Sequence, residues 1–168
     1  MKIISDSSRR NFIKKIGAAS AAVVVGSTVL AEDKNIYVEK MRRIPLGAND
    51  KINIGLIGAG GMGTQDVITA LSVPNVKLVA VCDLYEGRLK EAKTRWGNDL
   101  FLTRHYKELL NRKDVDAVII ATPDFWHQQI SIDAMRAGKH VYCEKPMVHS
   151  ILEGPAVIQA QMETGKVY

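Results

Sequence analysis

Apolar and polar residues follow one another along this chain in blocks whose period switches between the strand and helix repeats. Lys51–Ile57 is a short, partly β-branched run that ends at Gly58, after which Val67, Ala70 and Leu71 share one helical face that Pro74-Asn75 closes. Lys77–Cys82 (KLVAVC) predicts a second, buried strand, and Leu89, Ala92 and Trp96 a second helix closed by Gly97. A short third strand over Leu100–Thr103 and a short helix over Tyr106–Leu110 follow. Ala117–Ala121 (AVIIA) reads as a fourth strand, Ile130, Ala134 and Ala137 as a helical face stopped by Gly138, and His140–Cys143 as a fifth strand. The last helix lies within Ser150–Thr164, where Ser150 and Glu153 have capping-box spacing and Gly154-Pro155 offers a later start. Val167-Tyr168 then opens a sixth strand. Strands alternating with helices predict parallel pairing with right-handed crossovers. The expected fold is therefore α/β, a doubly wound parallel sheet over residues 51–168, truncated at the start of strand six.

Residues 1–50 carry a different pattern. Lys2, Arg9, Arg10, Lys14 and Lys15 face only Asp6 within the first 15 residues, and 16 uncharged residues follow from Ile16 to Ala31. A basic stretch, an apolar core and the small-residue ending Val29-Leu30-Ala31 make a secretory leader. Its apolar run is shorter than the roughly 18–20 residues of a permanent span. Ser8-Arg9-Arg10-Asn11-Phe12-Ile13-Lys14 resembles the twin-arginine export motif, with Ile where Leu is usual. The second pair, Arg42-Arg43, precedes no apolar run. Residues 1–31 are thus expected to be a twin-arginine signal peptide that engages the twin-arginine export machinery and sends the protein to the periplasm or beyond. Residues 32–50, polar and broken by Pro45 and Gly47, read as a tail or linker.

This division changes the meaning of the composition. The 168 residues, 46% hydrophobic and 24% charged, suit one globular domain and exclude a disordered, collagen-like or multi-span membrane chain. The formal charge of +5 points at first to a nucleic-acid or anionic partner. Without residues 1–31 the count is 18 basic against 17 acidic residues, so no nucleic-acid partner is expected. Two cysteines exclude a disulfide scaffold. In the sheet order 3-2-1-4-5, Cys82 and Cys143 would stand about 14 Å apart, beyond the ~7 Å Cα limit, and are expected to be free thiols.

The candidate chemistry sits at strand ends. Gly58-Ala59-Gly60-Gly61-Met62-Gly63 is a G-x-G-x-x-G run between a strand and a helix, the context that a dinucleotide-binding turn requires. Gly58 permits the tight turn, Gly60 lets backbone approach a diphosphate, and Gly63 lets helix and strand pack closely. The diphosphate would rest on amides at the helix N-terminus. Asp83, 20 residues after Gly63, ends the second strand, where a carboxylate accepts hydrogen bonds from the ribose hydroxyls of NAD and repels the 2′-phosphate of NADP. Arg88 would soften that preference, and Asp83 is equally placed to cap the following helix.

INIGLIGAGGMG (52–63), VAVCD (79–83), DAVIIATP (116–123) and AGKHVYCEKPM (137–147) together resemble the Gfo/Idh/MocA oxidoreductase family over nearly all of the chain after the leader. The Gly-Lys-His-Val-x-Cys-Glu-Lys-Pro run is the part specific to it. The resemblance implies that Thr122, Pro123, Trp126 and His127 line the cofactor, with Asp124 near the same helix start. It implies also that Glu144 and Lys145 sit by the nicotinamide ribose and the reacting carbon, and that Lys145 holds the substrate hydroxyl as the catalytic group. Read from the residues alone, Lys145 is a surface lysine at a strand end, His127 a residue that packs or caps, and His105, His140 and His149 structural or solvated. The cofactor implied is NAD, with NADP disfavoured and no metal site. The implied activity is hydride transfer from a sugar or cyclitol, by an enzyme that is a homo-oligomer when full length and whose α/β substrate domain is absent from this chain. Redox-neutral NAD-dependent glycosidases of the same superfamily, many with a similar leader and a loop like Trp126-His127, are the alternative; they often depart from Glu-Lys-Pro. A non-catalytic dinucleotide-binding module is the third possibility.

Overall fold

The computed structural model describes residues 51–168; the expected leader and linker lie outside the described residues. Five strands form one parallel sheet: β1 (Ile52–Ile57), β2 (Val76–Cys82), β3 (Phe101–Thr103), β4 (Ala117–Ile120) and β5 (His140–Cys143). Their spatial order is β3-β2-β1-β4-β5, the doubly wound order expected from sequence. Between them run α1 (Gly61–Leu71), α2 (Glu86–Trp96), α3 (Tyr106–Leu110), α4 (His127–Arg136) and, after β5, α5 (Gly154–Thr164).

Two apolar layers hold the sheet. Ile54, Leu56, Leu78, Val81 and Ile119 pack with Val67 of α1 and with Leu89 and Ala92 of α2 on one face. On the other face Ile57, Ala80, Cys82, Val118 and Ile120 pack with Leu109 of α3, with Ile130, Ala134 and Met135 of α4, and with Val157 and Ala160 of α5. Because both faces are covered, the central strands are near-continuously apolar rather than alternating. The pairing of β1 with β2 slips by one residue, Ile54 opposite Leu78 and Gly55 opposite Ala80, leaving Val79 as an extra residue. This bulge puts Val79 and Ala80 towards the same layer and lets Leu78 and Val81 share the other.

The C-terminal end of the described chain resolves the two readings of the last helix. Ser150 Oγ accepts from the Leu152 amide, and the Glu153 carboxylate accepts from the Ser150 amide. That capping box opens a single 3₁₀ turn, Ile151–Glu153, which runs directly into α5 with Pro155 in its first turn. Both start signals are used, one after the other. Beyond α5, Val167 O accepts from the Val141 amide and the Val167 amide donates to His140 Nδ1, so the chain comes back alongside β5.

Leu109 fills the space above Gly55, where a Cβ would lie 2.7 Å from its Cδ2. Leu109→Ala, at a fully buried site, should cost about 2–5 kcal/mol of stability, read as a lower midpoint in denaturant titration followed by circular dichroism. An unchanged midpoint would mean that α3 is not part of the cooperative core.

Candidate functional site

The carboxyl ends of β1, β2 and β4 converge on one edge of the sheet, and the glycine turn after β1 shapes it. Gly58 has φ +95, a left-handed conformation, and a Cβ there would stand 2.5 Å from Ala121 O. At Gly63 a Cβ would stand 2.1 Å from Gly58 O and 3.0 Å from Ala121 Cβ, so α1 sits directly on the turn and on β4. Gly60 and Gly61 are under no such constraint: a Cβ at Gly60 would meet only the Arg88 guanidinium at 3.7 Å, and at Gly61 nothing within 4 Å. That side of the turn is open for a ligand. No side chain caps α1 and no acidic residue lies in its first turn, which leaves the amides around Gly61 and Met62 available to an anion.

Asp83 is 7% exposed and occupies the end of β2. Its Oδ2 accepts from the Ala59 amide at 2.8 Å and lies 3.4 Å from Arg88 NH1, while Oδ1 accepts from the Tyr85 amide at 2.8 Å. The bond to Tyr85 falls one residue before α2, whose own amides find no side-chain cap, so Asp83 orders the approach to the helix without capping it. Oδ1 retains a lone pair for a ribose hydroxyl, and Oδ2 would gain one if Arg88 turned away.

A cleft of about 550 Å³ opens between these elements, lined by Gly58, Asp83, Arg88, Thr122, Pro123 and Trp126 among others. Among the described residues Thr122 Oγ1 is buried with no hydrogen-bond partner, an orphaned group that suits a bound partner at this place. The structure therefore brings together the turn Gly58–Gly63, Asp83, Thr122, Pro123 and Trp126. Leu84, Arg104, His105 and Phe125 also line the cleft. His105 was expected to be structural or solvated, but the short β3 delivers it to the same edge. Leu84 and Phe125 come in as sequence neighbours of Asp83 and Trp126, whereas Arg104 and His105 are brought in by the sheet order, which sets β3 beside β2.

The residues after β4 and β5 occupy other places. His127 is 1% exposed and does not line the cleft: Nδ1 lies 2.6 Å from Pro146 O and Nε2 2.8 Å from Thr122 O. The expectation that it presents its ring to the cofactor gives way to a buried link between two loops. Glu144 is half-buried and Lys145 exposed, both outside the cleft, and the Lys145–Pro146 peptide is cis. Asp124 pairs across the loops with His149, Oδ2 to Nδ1 at 2.9 Å. Their hydrogen bond and opposite charges hold the Asp124 carboxyl below, and the His149 ring above, their ordinary values. Asp66, one helical turn after Gly63, keeps Oδ2 buried and unpartnered; burial and then the charge of Glu144 raise its carboxyl above the usual range. Burial, followed by the charge of Asp83, pushes the Cys82 thiol up to about 12, and burial raises Cys143. Both are free thiols.

Residues 52–168 match the profile of the oxidoreductase family with an NAD-binding Rossmann fold. The chain belongs to the Gfo/Idh/MocA family. As a member of it, the chain carries that family's NAD-binding domain, and the glycine cradle, Asp83 and the orphaned Thr122 hydroxyl suit a dinucleotide. Among Gfo/Idh/MocA-like sequences, a glycosyl hydrolase family 109 protein of Shewanella baltica is 32% identical over 94% of this chain. The chain spans only 38% of that relative's length. An NAD-binding protein from Listeria innocua superposes with a TM-score of 0.65 at 31% identity, over 70% of this chain and 34% of its own. The apo scyllo-inositol dehydrogenase of Lactobacillus casei gives 0.66 at 28% identity, over 70% and 35%.

Two predictions follow the geometry. Gly63→Ala should weaken NAD at least about tenfold, or 1.4 kcal/mol, in calorimetric titration, whereas Gly154→Ala, in α5 away from the cleft and with nothing within 4 Å of its Cβ, should leave affinity within about twofold. Equal losses would contradict the cradle. The His149 resonances should titrate above free histidine, and Asp124→Asn should return them towards it. The folded His149 pKa is raised, so the pair's contribution is present at mildly acidic pH and is lost as pH rises through that raised value; it is lost again at low pH as Asp124 protonates. A His149 titration unmoved by Asp124→Asn would show that the pair does not form.

Proposed function

We propose that this chain is the cofactor-binding half of an exported NAD-dependent oxidoreductase that acts on a sugar, sugar derivative or cyclitol. The observation that carries the reading is the Glu144-Lys145-Pro146 turn at the carboxyl end of β5, on the same edge of the sheet as the dinucleotide turn after β1 and separated from it by β4. The likeness to an inositol dehydrogenase supports the substrate class. The basic leader supports export through the twin-arginine route, which carries folded proteins and so lets cofactor be loaded before export.

NAD, when bound, supplies the hydride acceptor. The chain's own residues do the rest of what this half contributes. Amides of the Gly60–Gly63 turn hold the diphosphate, Asp83 accepts from the adenosine ribose and disfavours a 2′-phosphate, and Thr122 offers its free hydroxyl. Lys145 Nζ would donate to the substrate oxygen, and its charge would favour the alkoxide left when a base takes the hydroxyl proton. That alkoxide becomes the carbonyl as the hydrogen on carbon leaves as hydride. Glu144, on the same turn, would face the nicotinamide ribose if the dinucleotide extends towards β5.

A second reading is favoured by the glycosyl hydrolase family 109 relative, which matches nearly the whole chain. In it the same site serves a glycosidase without net redox change. The Glu-Lys-Pro turn supports the first reading over this one.

The deciding experiment takes the complete gene product. It should purify with NAD that is released on denaturation, reduce NAD with a free sugar or cyclitol from a panel, and leave nitrophenyl glycosides intact. Lys145→Ala should lower turnover by about 10²-fold or more with nucleotide still bound. Cleavage of a nitrophenyl glycoside with no net NADH would establish the second reading, and a protein that binds NAD but transforms neither class would leave a binding module.

A further inference from the structure

We propose that His127 is a positioning residue that sets where Lys145 stands relative to the cofactor cleft, an inference that rests on the placement of Lys145 beside the nicotinamide. The turn bearing Lys145 is anchored on both sides through backbone. On one side the Glu144 amide donates to Ile120 O of β4 at 2.8 Å, continuing the sheet. On the other, Pro146 O faces His127 Nδ1 at 2.6 Å. Lys145 Nζ itself makes no hydrogen bond among the described residues, so its position is inherited from those two anchors.

The second ring nitrogen decides what this anchor is fixed to. His127 Nε2 lies 2.8 Å from Thr122 O, and Thr122 with Pro123 lines the cofactor cleft. One rigid, buried ring therefore spans the loop that lines the cleft and the turn that presents the lysine. Both neighbours are carbonyl oxygens, so a neutral ring donates to one of them while its other nitrogen only packs against the second, and two bonds at once require the doubly protonated ring. A histidine placed only to fill the core would be satisfied by any pair of carbonyls. These two belong to the residue beside the catalytic lysine and to the residue whose hydroxyl waits for the ligand. The ring acts as a spacer of fixed length between cofactor and lysine, with no contact to either reacting group.

The test uses the full chain and NAD as the probe. Labelling of Lys145 by trinitrobenzenesulfonate, located by peptide mass spectrometry, reports how well NAD shields its amine. In the wild-type protein NAD should protect Lys145. In His127→Ala the protection factor should fall about fivefold, as for one lost hydrogen bond, while affinity for AMP, which fills only the adenosine half, stays within about twofold. His127→Gln, which keeps a donor and most of the volume, should recover part of the protection and carries the test if the alanine variant does not fold. Unchanged protection in a folded variant would overturn the positioning role. Absence of protection in the wild-type protein would overturn the placement of Lys145 by the cofactor, and with it the premise.

Discussion

The contact on which the rest of this domain depends is the approach of α1 to the turn after β1. Gly63 and the Gly58 carbonyl stand so close that a methyl group at Gly63 would lie 2.1 Å from that oxygen. The approach places the amino end of α1 directly over the end of the central strand. It also brings Gly63 against Ala121, and so ties the turn to β4 as well as β1. An anion bound at α1 is thereby held in register with β2, through Asp83, and with the loop after β4, through Thr122. Without that approach the helix would still form, but its free amides would no longer face the same cleft as the carboxylate.

A second tie organises the other half of the site. The loops after β4 and β5 meet the sheet through the Ala121 and Glu144 amides at their first residues, and further out they are joined by two histidine links of different character. His149 with Asp124 is an exposed charge pair, easily screened and titratable, of the kind that adds little to stability. His127 is buried, with both nitrogens against carbonyl oxygens. The buried link holds geometry and the exposed one adjusts it. Loops at the carboxyl end of a parallel sheet have no ladder partners of their own, so ties of this sort decide how well a site built from them keeps its shape.

Much of this architecture was legible before any coordinates. The alternation of apolar runs and helical faces gave the five strands and five helices within a residue or a few, since a doubly covered parallel sheet writes long apolar runs and little else does. The glycine turn and Asp83 were legible because their spacing follows from chain geometry within one βαβ unit. The bulge at Val79 was not, since an extra residue in an apolar run looks like any other. That His127 packs could be read from its place in the first turn of a helix, but its partner could not: its sequence neighbours, Trp126 and Gln128, give no sign that Pro146 approaches from 19 residues away. His105 was read as peripheral because its place in the cleft depends on β3 lying two strands from β1, a fact of sheet order. Asp66 shows the same limit, for its neighbour Glu144 is local only in space.

Asp83 illustrates why structural and ligand-binding roles cannot be separated at such a site. Its carboxylate fixes the Ala59 amide in the glycine turn, the Tyr85 amide before α2 and the Arg88 side chain, all within one buried position. The group that would select the ribose hydroxyls thus also holds the turn that would bind the diphosphate. Replacing it would loosen both ends of the adenosine site at once, so a loss of affinity there says little about selectivity. Arg88 is the cleaner handle. It is half-exposed and touches Asp83 at the long distance of 3.4 Å, and its guanidinium can turn away from the carboxylate without releasing either amide. Were these two groups to choose between the nicotinamide cofactors, the choice would rest on the balance between a fixed carboxylate and a movable cation, and only the second could change without disturbing the turn.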